Sequence, residues 1–507
     1  MLAVAHVLGL VLAGSALSYA LPIACSLLFA DGLWPHFLLA AACAAAVGMA
    51  LAAVTSRSRR ELKPRDGFLL VTLGWLLLSA AAALPLLLAV PGLSFSGAFF
   101  EAMSGLTTTG STVLNGLDQL PPSLNFWRHA LHWFGGLGII VMALAVLPLL
   151  GVGGMQLYKG QAGAVKDERL APRITETVKQ LWVVYALITL AGIVALRICH
   201  MTWFDAICHA FSAVGLGGFS THDRSIAWFN SPAIEVVLMA LMLIAALNFG
   251  RHIIALRRLS LATYRQDPEA KAIFLILAVS VVCIATLLNV QGVYPHFLVS
   301  LRHAAFNVIS QATTSGLTSQ DYQQWPVFAP YWMLFLSCIV CSTGSTGGGI
   351  KMFRTLLLAH QAGREMKLLI HPAAMAPLRI GGRPIPEGVG SAVLAFIFVY
   401  FMTVALLTFA LLLTGMDFDD SFSAVVASIN NTAHGFGAPG AVHNFHALGT
   451  VQIWICTVLS ECRLCTAPGG PKPCAVLLME ATTALKESSK SMPVSSIAKV
   501  RSATVMK

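Results

Sequence analysis

Long apolar runs alternate with short polar ones along nearly the whole chain. They lie near residues 5–29, 36–54, 68–90, 127–150, 181–198, 232–250, 272–290, 331–350, 391–413 and, more briefly, 449–460. Most approach the roughly 20 residues needed to cross a bilayer core as a helix. The first run lacks a basic leading region and is too long for the core of a signal peptide, so it reads as a membrane helix. The pattern predicts two leading helices followed by four helix–loop–helix units. Inside each unit an amphipathic stretch of about ten residues, too short to span, runs into a cluster of Gly, Thr, Ser and Asn. The clusters are Ser104–Gly110, Ser212–Gly218, Ser310–Gly316 and Ser428–Gly435. In the first three a Gly stands six residues after a Ser, and the preceding segments align as GAFFEAMS, DAICHAFS and HAAFNVIS, with SFSAVVAS as the fourth. The terminal glycines are spaced 108, 98 and 119 residues apart. Four such copies in one chain can surround a single axis.

Composition supports the membrane assignment. Hydrophobic residues make up 57% and charged residues 11%, and the mean hydropathy is +0.77, against roughly 25% charged in an average soluble domain. The net charge of +10 raises the question of a nucleic-acid partner, which the placement of the charges answers. Lys and Arg number five between Arg57 and Arg65, five between Lys159 and Lys179, five between Arg251 and Lys271, and six between Lys351 and Arg383. The intervening loops, which hold the four clusters, contain only Arg224 and Arg302. This asymmetry is topogenic: it puts the N-terminus in the cytoplasm and the clusters outside, and it leaves no case for nucleic acid. The eleven cysteines form no disulfide framework. Seven sit in or beside apolar runs, and Cys462 and Cys465 make a lone C-x-x-C without a second pair at zinc spacing.

A Gly/Thr cluster between membrane helices has a specific use. A monovalent cation sheds water in a narrow site when backbone carbonyls replace its hydration shell, and small residues let the backbone turn its oxygens toward an axis. Irregular backbone is tolerated at membrane depth where protein buries it or where it lines an aqueous cavity. A second glycine-rich stretch, Gly344-Ser-Thr-Gly-Gly-Gly-Ile-Lys351, is superficially a phosphate loop. It fails that pattern because Ile350 precedes the Lys and Met352 follows it, and because it interrupts an apolar run. Glu101, His209 and Asn307 each stand three residues before a cluster Ser. Ionisable groups at that depth either brace the loops and shape the outer field, with Asp205 adding negative potential, or tie the short helices to their neighbours. His129 and His132, at i, i+3, lack a third metal ligand and read as hydrogen-bonding groups.

These residues resemble the Trk/Ktr/HKT superfamily of potassium transporters, and most closely the bacterial TrkH-type subunit. The similarity extends over residues 1 to about 457. It is carried by His132-Trp-Phe-Gly-Gly-Leu-Gly-Ile-Ile-Val, Leu147-Pro-Leu-Leu-Gly-Val-Gly-Gly-Met-Gln-Leu-Tyr158, Glu168-Arg-Leu-Ala-Pro-Arg-Ile-Thr-Glu-Thr-Val-Lys179 and Ser342-Thr-Gly-Ser-Thr-Gly-Gly-Gly-Ile-Lys351. The resemblance implies an all-α polytopic membrane protein with four pseudo-symmetric helix–pore loop–helix repeats around one central pore, preceded by two extra helices. It implies a potassium selectivity filter at Thr108, Thr109 and Gly110, at Leu216, Gly217 and Gly218, at Thr314, Ser315 and Gly316, and at Asn431, Thr432 and Gly435. In the fourth repeat Ala433 and His434 stand where the family usually has Gly and Pro. The family's intramembrane gate corresponds to Gly344, Gly347, Gly348 and Gly349. Its final helix carries an Arg that acts as a positive barrier in the pore, for which Arg463 is the candidate. Implied partners are potassium, the lipid bilayer, a second copy in a homodimer, and a cytosolic nucleotide-binding TrkA-like regulatory subunit docked on the basic loops. No covalent cofactor and no metal other than potassium are implied, and the implied location is the bacterial cell inner membrane.

The expected organisation is 1–66 for the leading helices and basic loop, 67–180, 181–271, 272–388 and 389–460 for the repeats, and 461–507 for an atypical tail. From Ser460 onward the sequence turns to Pro, Cys, Ser and Lys, with prolines at 468, 471 and 473 that would break a helix. The shift fits a changed reading frame and predicts an incomplete fourth repeat. The expected function is potassium uptake through one selective pore. The alternatives are a sodium or weakly selective channel of the same superfamily, against which Gly110 argues, and a membrane enzyme, for which no convergent catalytic set exists in the sequence.

Overall fold

The computed structural model describes residues 2–56, 64–146, 174–374, 377–385, 387–437, 440 and 445–461. It begins with an antiparallel pair, α1 (Leu2–Phe29) and α2 (Trp34–Thr55). Two glycines allow the pair to close. A Cβ at Gly48 would lie 2.4 Å from the Ala13 nitrogen, and one at Gly9 would lie 2.7 Å from the Gly48 oxygen, the small-residue contact that brings membrane helices together.

Four segments of similar design follow. The first holds α3 (Pro64–Ala89), the short α4 (Phe95–Leu106) and α5 (Pro122–Val146). The second holds α6 (Ile174–Ile198), the short α7 (Trp203–Gly215), α8 (Pro232–Ala246) and α9 (Phe249–Arg258). In the third are α10 (Pro268–Val290), the short α11 (Phe297–Ala312), α12 (Phe328–Ile339) and α13 (Met352–Ile370). The fourth holds α14 (Glu387–Leu412), the short α15 (Phe418–Asn430) and α16 (Thr450–Glu461). Local sequence sets the starts: Ser94 and Thr202 cap α4 and α7 by accepting from the Gly97 and Asp205 amides, each at 3.1 Å. Pro232 and Pro268 open α8 and α10, where a missing amide hydrogen costs nothing.

Among the described residues six helices are long and apolar enough to cross a membrane: α1, α2, Leu69–Ala89 of α3, Glu176–Ile198 of α6, α10, and Gly388–Leu412 of α14. Burial is the reverse of a soluble protein's. Leu17, Leu28, Val54 and Leu413 are at least 80% exposed, while Glu101, Arg128, His132, His209 and Asn307 are fully buried. The molecule is an all-helical, multi-pass membrane protein. A two-residue hairpin, Arg379–Ile380 against Arg383–Pro384, is the exception to helix among the described residues.

Two expected spans are broken. The run 232–250 is a helix only to Ala246, and α9 departs from α8 at 102°. Leu247 is extended there, and the Asn248 side chain caps a new helix by accepting from the Gly250 amide at 2.8 Å. The run 331–350 is helical only to Ile339, after which residues 340–351 form a glycine-rich loop. The helices α6, α10 and α14 also begin earlier than the boundaries read at 181, 272 and 389.

Candidate functional site

The four short helices end in loops with one shared backbone pattern. Thr108, Leu216, Thr314 and Asn431 have φ of +53°, +54°, +61° and +59°. Two residues later, Gly110, Gly218, Gly316 and Ala433 have φ of +82°, +89°, +75° and +64°. The residue between each pair is not left-handed, and such alternation turns neighbouring peptides to one side. Matching hydrogen bonds fix the register: the amides of Thr109, Gly217, Ser315 and Thr432 donate to the carbonyls of Ser104, Ser212, Ser310 and Ala427 at 2.8, 2.9, 2.9 and 3.0 Å. The fourth cluster therefore starts at Ala427, one residue before the expected Ser428, and its sixth following residue is Ala433. Gly435 does not occupy the glycine-equivalent place. It has no left-handed φ, and a Cβ there would meet Ser423 at 2.8 Å.

The loops close on one another in chain order. A Cβ at Gly110 would fall 1.7 Å from the Gly217 oxygen, one at Gly218 2.2 Å from the Ser315 oxygen, and one at Gly316 2.5 Å from the Thr432 oxygen. The Ser111 hydroxyl donates to the Ala433 carbonyl at 2.6 Å and completes the circle. The Cβ directions of the three glycines converge, reaching 3.0, 2.9 and 2.3 Å from the actual Ala433 Cβ. The Ala433 methyl thus stands at the centre of the ring, where its three counterparts have no side chain.

A second layer ties each loop to its helix. Glu101 accepts from the Thr112 hydroxyl at 2.9 Å and the Val113 amide at 3.0 Å. His209 pairs with the Ser220 hydroxyl at 3.0 Å. Asn307 donates to the Ser319 hydroxyl at 3.1 Å and accepts from the Ser319 amide at 3.2 Å. Equivalent positions thus brace equivalent turns just past the ring. Sequence reading missed Arg128, whose Nε lies 2.8 Å from Glu101 Oε1 and whose guanidinium sits 4.1 Å over the Phe219 ring. The signal was present, since Arg128 is a cation inside an apolar run three residues after Asn125, to which it also donates at 3.1 Å. His129 bonds the Asn125 carbonyl at 2.7 Å and His132 stacks on Phe219 at 4.1 Å. Among the described residues no group of three His, Cys, Asp or Glu could hold a metal ion.

Residues 340–351 pack against the underside of the ring. The Gly348 amide donates to the Thr314 hydroxyl at 2.8 Å, and a Cβ at Gly348 would lie 1.8 Å from the Asn430 oxygen. Cys341 Sγ donates to the Thr313 carbonyl at 3.3 Å, and the Thr346 hydroxyl to the Val214 carbonyl at 3.1 Å. Lys351 reaches back to the Gly347 carbonyl. The loop therefore touches three of the four segments at once.

A family model described as "TrkH: Cation transport protein" matches residues 34–451. The chain belongs to the TrkH cation transport family. The Trk system potassium uptake protein TrkH of Halomonas elongata is 42% identical over 457 residues, 89% of this chain and 94% of that one. TrkH of Escherichia coli K12 is 42% identical over 433 residues, 85% and 89% of the two chains. The crystal structure of the potassium transporter TrkH from Vibrio parahaemolyticus superposes with a TM-score of 0.84 at 38% identity, covering 91% of this chain and 96% of that one.

In this TrkH-family chain, then, Thr108, Thr109, Gly110, Leu216, Gly217, Gly218, Thr314, Ser315, Gly316, Asn431 and Thr432 are brought into one ring, and Gly347 and Gly348 lie against it. Gly344 and Gly349, with φ of +83° and +75°, turn the loop at its two ends. Arg463, Cys462 and Cys465 lie outside the described residues, as does the whole stretch 147–173. The loops of the first two segments are tied by His222, whose Nδ1 lies 2.5 Å from Asp118 Oδ1. Burial opposes charge on His222, but the carboxylates of Asp205 and Asp118 outweigh it and raise its pKa above the usual imidazole value. Burial likewise opposes charge on Asp118, while His222 and the Asp223 amide bring its pKa below the usual carboxylate value.

Proposed function

We propose that the chain takes up potassium across the bacterial inner membrane through a single pore, with the four helix–pore loop–helix repeats arranged around it. The observation that carries this reading is the four-fold recurrence of one strained backbone closed into a ring. Carbonyls of Thr108 and Thr109, Leu216 and Gly217, Thr314 and Ser315, and Asn431 and Thr432 are the proposed ligands, replacing the ion's water. The ring's short glycine approaches leave no room for side chains, which suits a site selective by oxygen placement. The names of the relatives support potassium as the ion. An inside-negative potential drives entry by about 2.3 kcal/mol per charge for each 100 mV. The glycine-rich loop, seated under the ring, is the proposed gate. The chain is a transporter and not an enzyme. The proposed assembly is a homodimer with a cytosolic nucleotide-binding TrkA-like subunit docked on basic surfaces such as Arg251, Arg257 and Arg258 of α9, with the N-terminus cytoplasmic.

The Ala433 methyl favours a second reading, a pore of reduced or altered potassium selectivity, because it alone among the four equivalent residues places a carbon at the ring centre. Growth of a bacterium stripped of its own potassium uptake tests both. The account predicts growth on low potassium with this chain and none with Gly218→Asp. Absence of growth despite protein in the membrane counts against potassium uptake, and growth lost specifically at high sodium favours the second reading.

A further inference from the structure

The break between α8 and α9 serves neither the ring nor its bracing layer, yet it meets the break between α12 and α13 directly. The Ser342 amide donates to the Ala246 carbonyl at 3.0 Å, and the Phe249 amide donates to the Gly344 carbonyl at 3.1 Å. Two interrupted helices thus dock break to break. Between those bonds Thr343 is held at both its amide and its carbonyl. Asn248 Nδ2 donates to the Thr343 carbonyl at 2.6 Å. Glu269 Oε2 accepts from the Thr343 amide at 2.8 Å and from the Ser342 hydroxyl at 2.8 Å. Glu269 is 5% exposed, so its bonds to the loop satisfy a buried carboxylate that would otherwise lack partners for that oxygen. Gly344 is required for this fit: its φ is +83°, and a Cβ would lie 3.1 Å from Asn248 Nδ2.

We infer that Asn248 and Glu269 are positioning residues of the gate, clamping the Thr343 backbone at its carbonyl and its amide so that the glycine-rich loop stays seated beneath the ring. This rests on the pore reading above. The clamp also explains why α8 breaks. A straight span would carry Asn248 past the loop, whereas the 102° bend lets one amide side chain cap α9 with its oxygen and grip Thr343 with its nitrogen. Because α9 carries Arg251, Arg257 and Arg258, displacement of α9 by a cytosolic partner is delivered through Asn248 to Thr343. Arg251 Nε stands 3.6 Å from Asp267 Oδ2, the cap of α10, an ion pair between the elements that bear Asn248 and Glu269.

The test compares the full chain with Glu269→Ala, Glu269→Gln and Asn248→Asp in proteoliposomes, reading amide hydrogen exchange of residues 340–350 and rubidium flux. Glu269→Gln keeps an acceptor oxygen, and Asn248→Asp keeps the cap on α9 while losing the donor to Thr343. Loss of both hydrogen bonds to the buried carboxyl group predicts exchange about tenfold faster or more in Glu269→Ala. The same direction is expected in Asn248→Asp, near-native exchange in Glu269→Gln, and native protection at 104–112 in all three. Flux rises in the two released variants with unchanged preference for potassium over sodium, which a merely damaged fold would not produce. Unchanged exchange in Glu269→Ala overturns the clamp, as does faster exchange with lower or unchanged flux in a conducting protein. Failure of the pore reading shows separately, as equal flux from the full chain and Gly218→Asp.

Discussion

Replacing Ala433 by Gly removes one methyl group from the centre of the ring, and the structure sets the size of two effects. Ala433 holds φ at +64°, a left-handed conformation that costs a non-glycine residue roughly 1–2 kcal/mol. Glycine relieves that cost but loses about 0.5–1 kcal/mol through its greater freedom in the unfolded chain, so the net change is about 1 kcal/mol toward stability. The effect on transport is larger. A cation displaced from one carbonyl loses an interaction comparable to a hydrogen bond with a charged group, about 1.5–3 kcal/mol, and each 1.36 kcal/mol is about tenfold in rate. Ala433→Gly is therefore expected to raise rubidium flux into proteoliposomes roughly tenfold or more, with a melting temperature equal to or above the parent's. Flux equal to the parent's with normal folding would refute the placement of the methyl at the ring centre. A lower melting temperature would refute the strained backbone.

Other consequences follow from the bracing layer, the His222–Asp118 loops and the leading helices. Glu101→Ala leaves Arg128 as a buried unpaired charge and should cost about 3–5 kcal/mol, read as a lowered melting temperature, while Glu101→Leu with Arg128→Leu should recover much of it. The His222–Asp118 tie has a pH window. The raised imidazole contributes fully below about pH 6.5 and is lost as pH rises through its folded value, and the lowered carboxylate contributes above about pH 3.9 and is lost as pH falls through its folded value. Protection of residues 216–226, taken relative to the intrinsic base-catalysed exchange rate, should therefore fall as pH rises through the His222 folded value in the parent and stay level over that range in His222→Gln. Gly48→Leu puts a side chain where even a Cβ is 2.4 Å from Ala13, and overpacking of about 1–3 kcal/mol should appear as reduced thermal stability without loss of ion preference.

Much of this architecture was legible because membranes impose simple rules. Among the described residues apolar length gave six spans, those read near 5–29, 36–54, 68–90, 181–198, 272–290 and 391–413. The repeated cluster gave the first three loops at their observed register, because in each a Ser and a Gly mark the two ends of the turn. In the fourth the cluster ends were read one residue late at Ser428 and two late at Gly435, although Asn431 and Thr432 fall at the observed register and Ala433 stands in the family's Gly place. Ser428 and Gly435 imitate those ends, whereas the turn is set by a backbone hydrogen bond from Thr432 to Ala427, which leaves no side-chain signature. The bend at Asn248 was hidden by the apolar run around it, although Asn is a favoured helix N-cap residue. Arg128 was visible as an intramembrane charge, but its partner Glu101 lies 27 residues away and only the fold joins them. The His222–Asp118 tie, 104 residues apart, is likewise a product of loop placement that no local pattern encodes.

The central claim is that the four loops form one ion-selective passage, and radioactive rubidium uptake into proteoliposomes holding the purified full chain tests it most directly. The account predicts uptake that potassium suppresses more strongly than sodium and that Gly218→Asp abolishes, since a Cβ there already falls 2.2 Å from the Ser315 oxygen. Uptake that persists unchanged in correctly folded Gly218→Asp protein, or that sodium suppresses as well as potassium does, would contradict it.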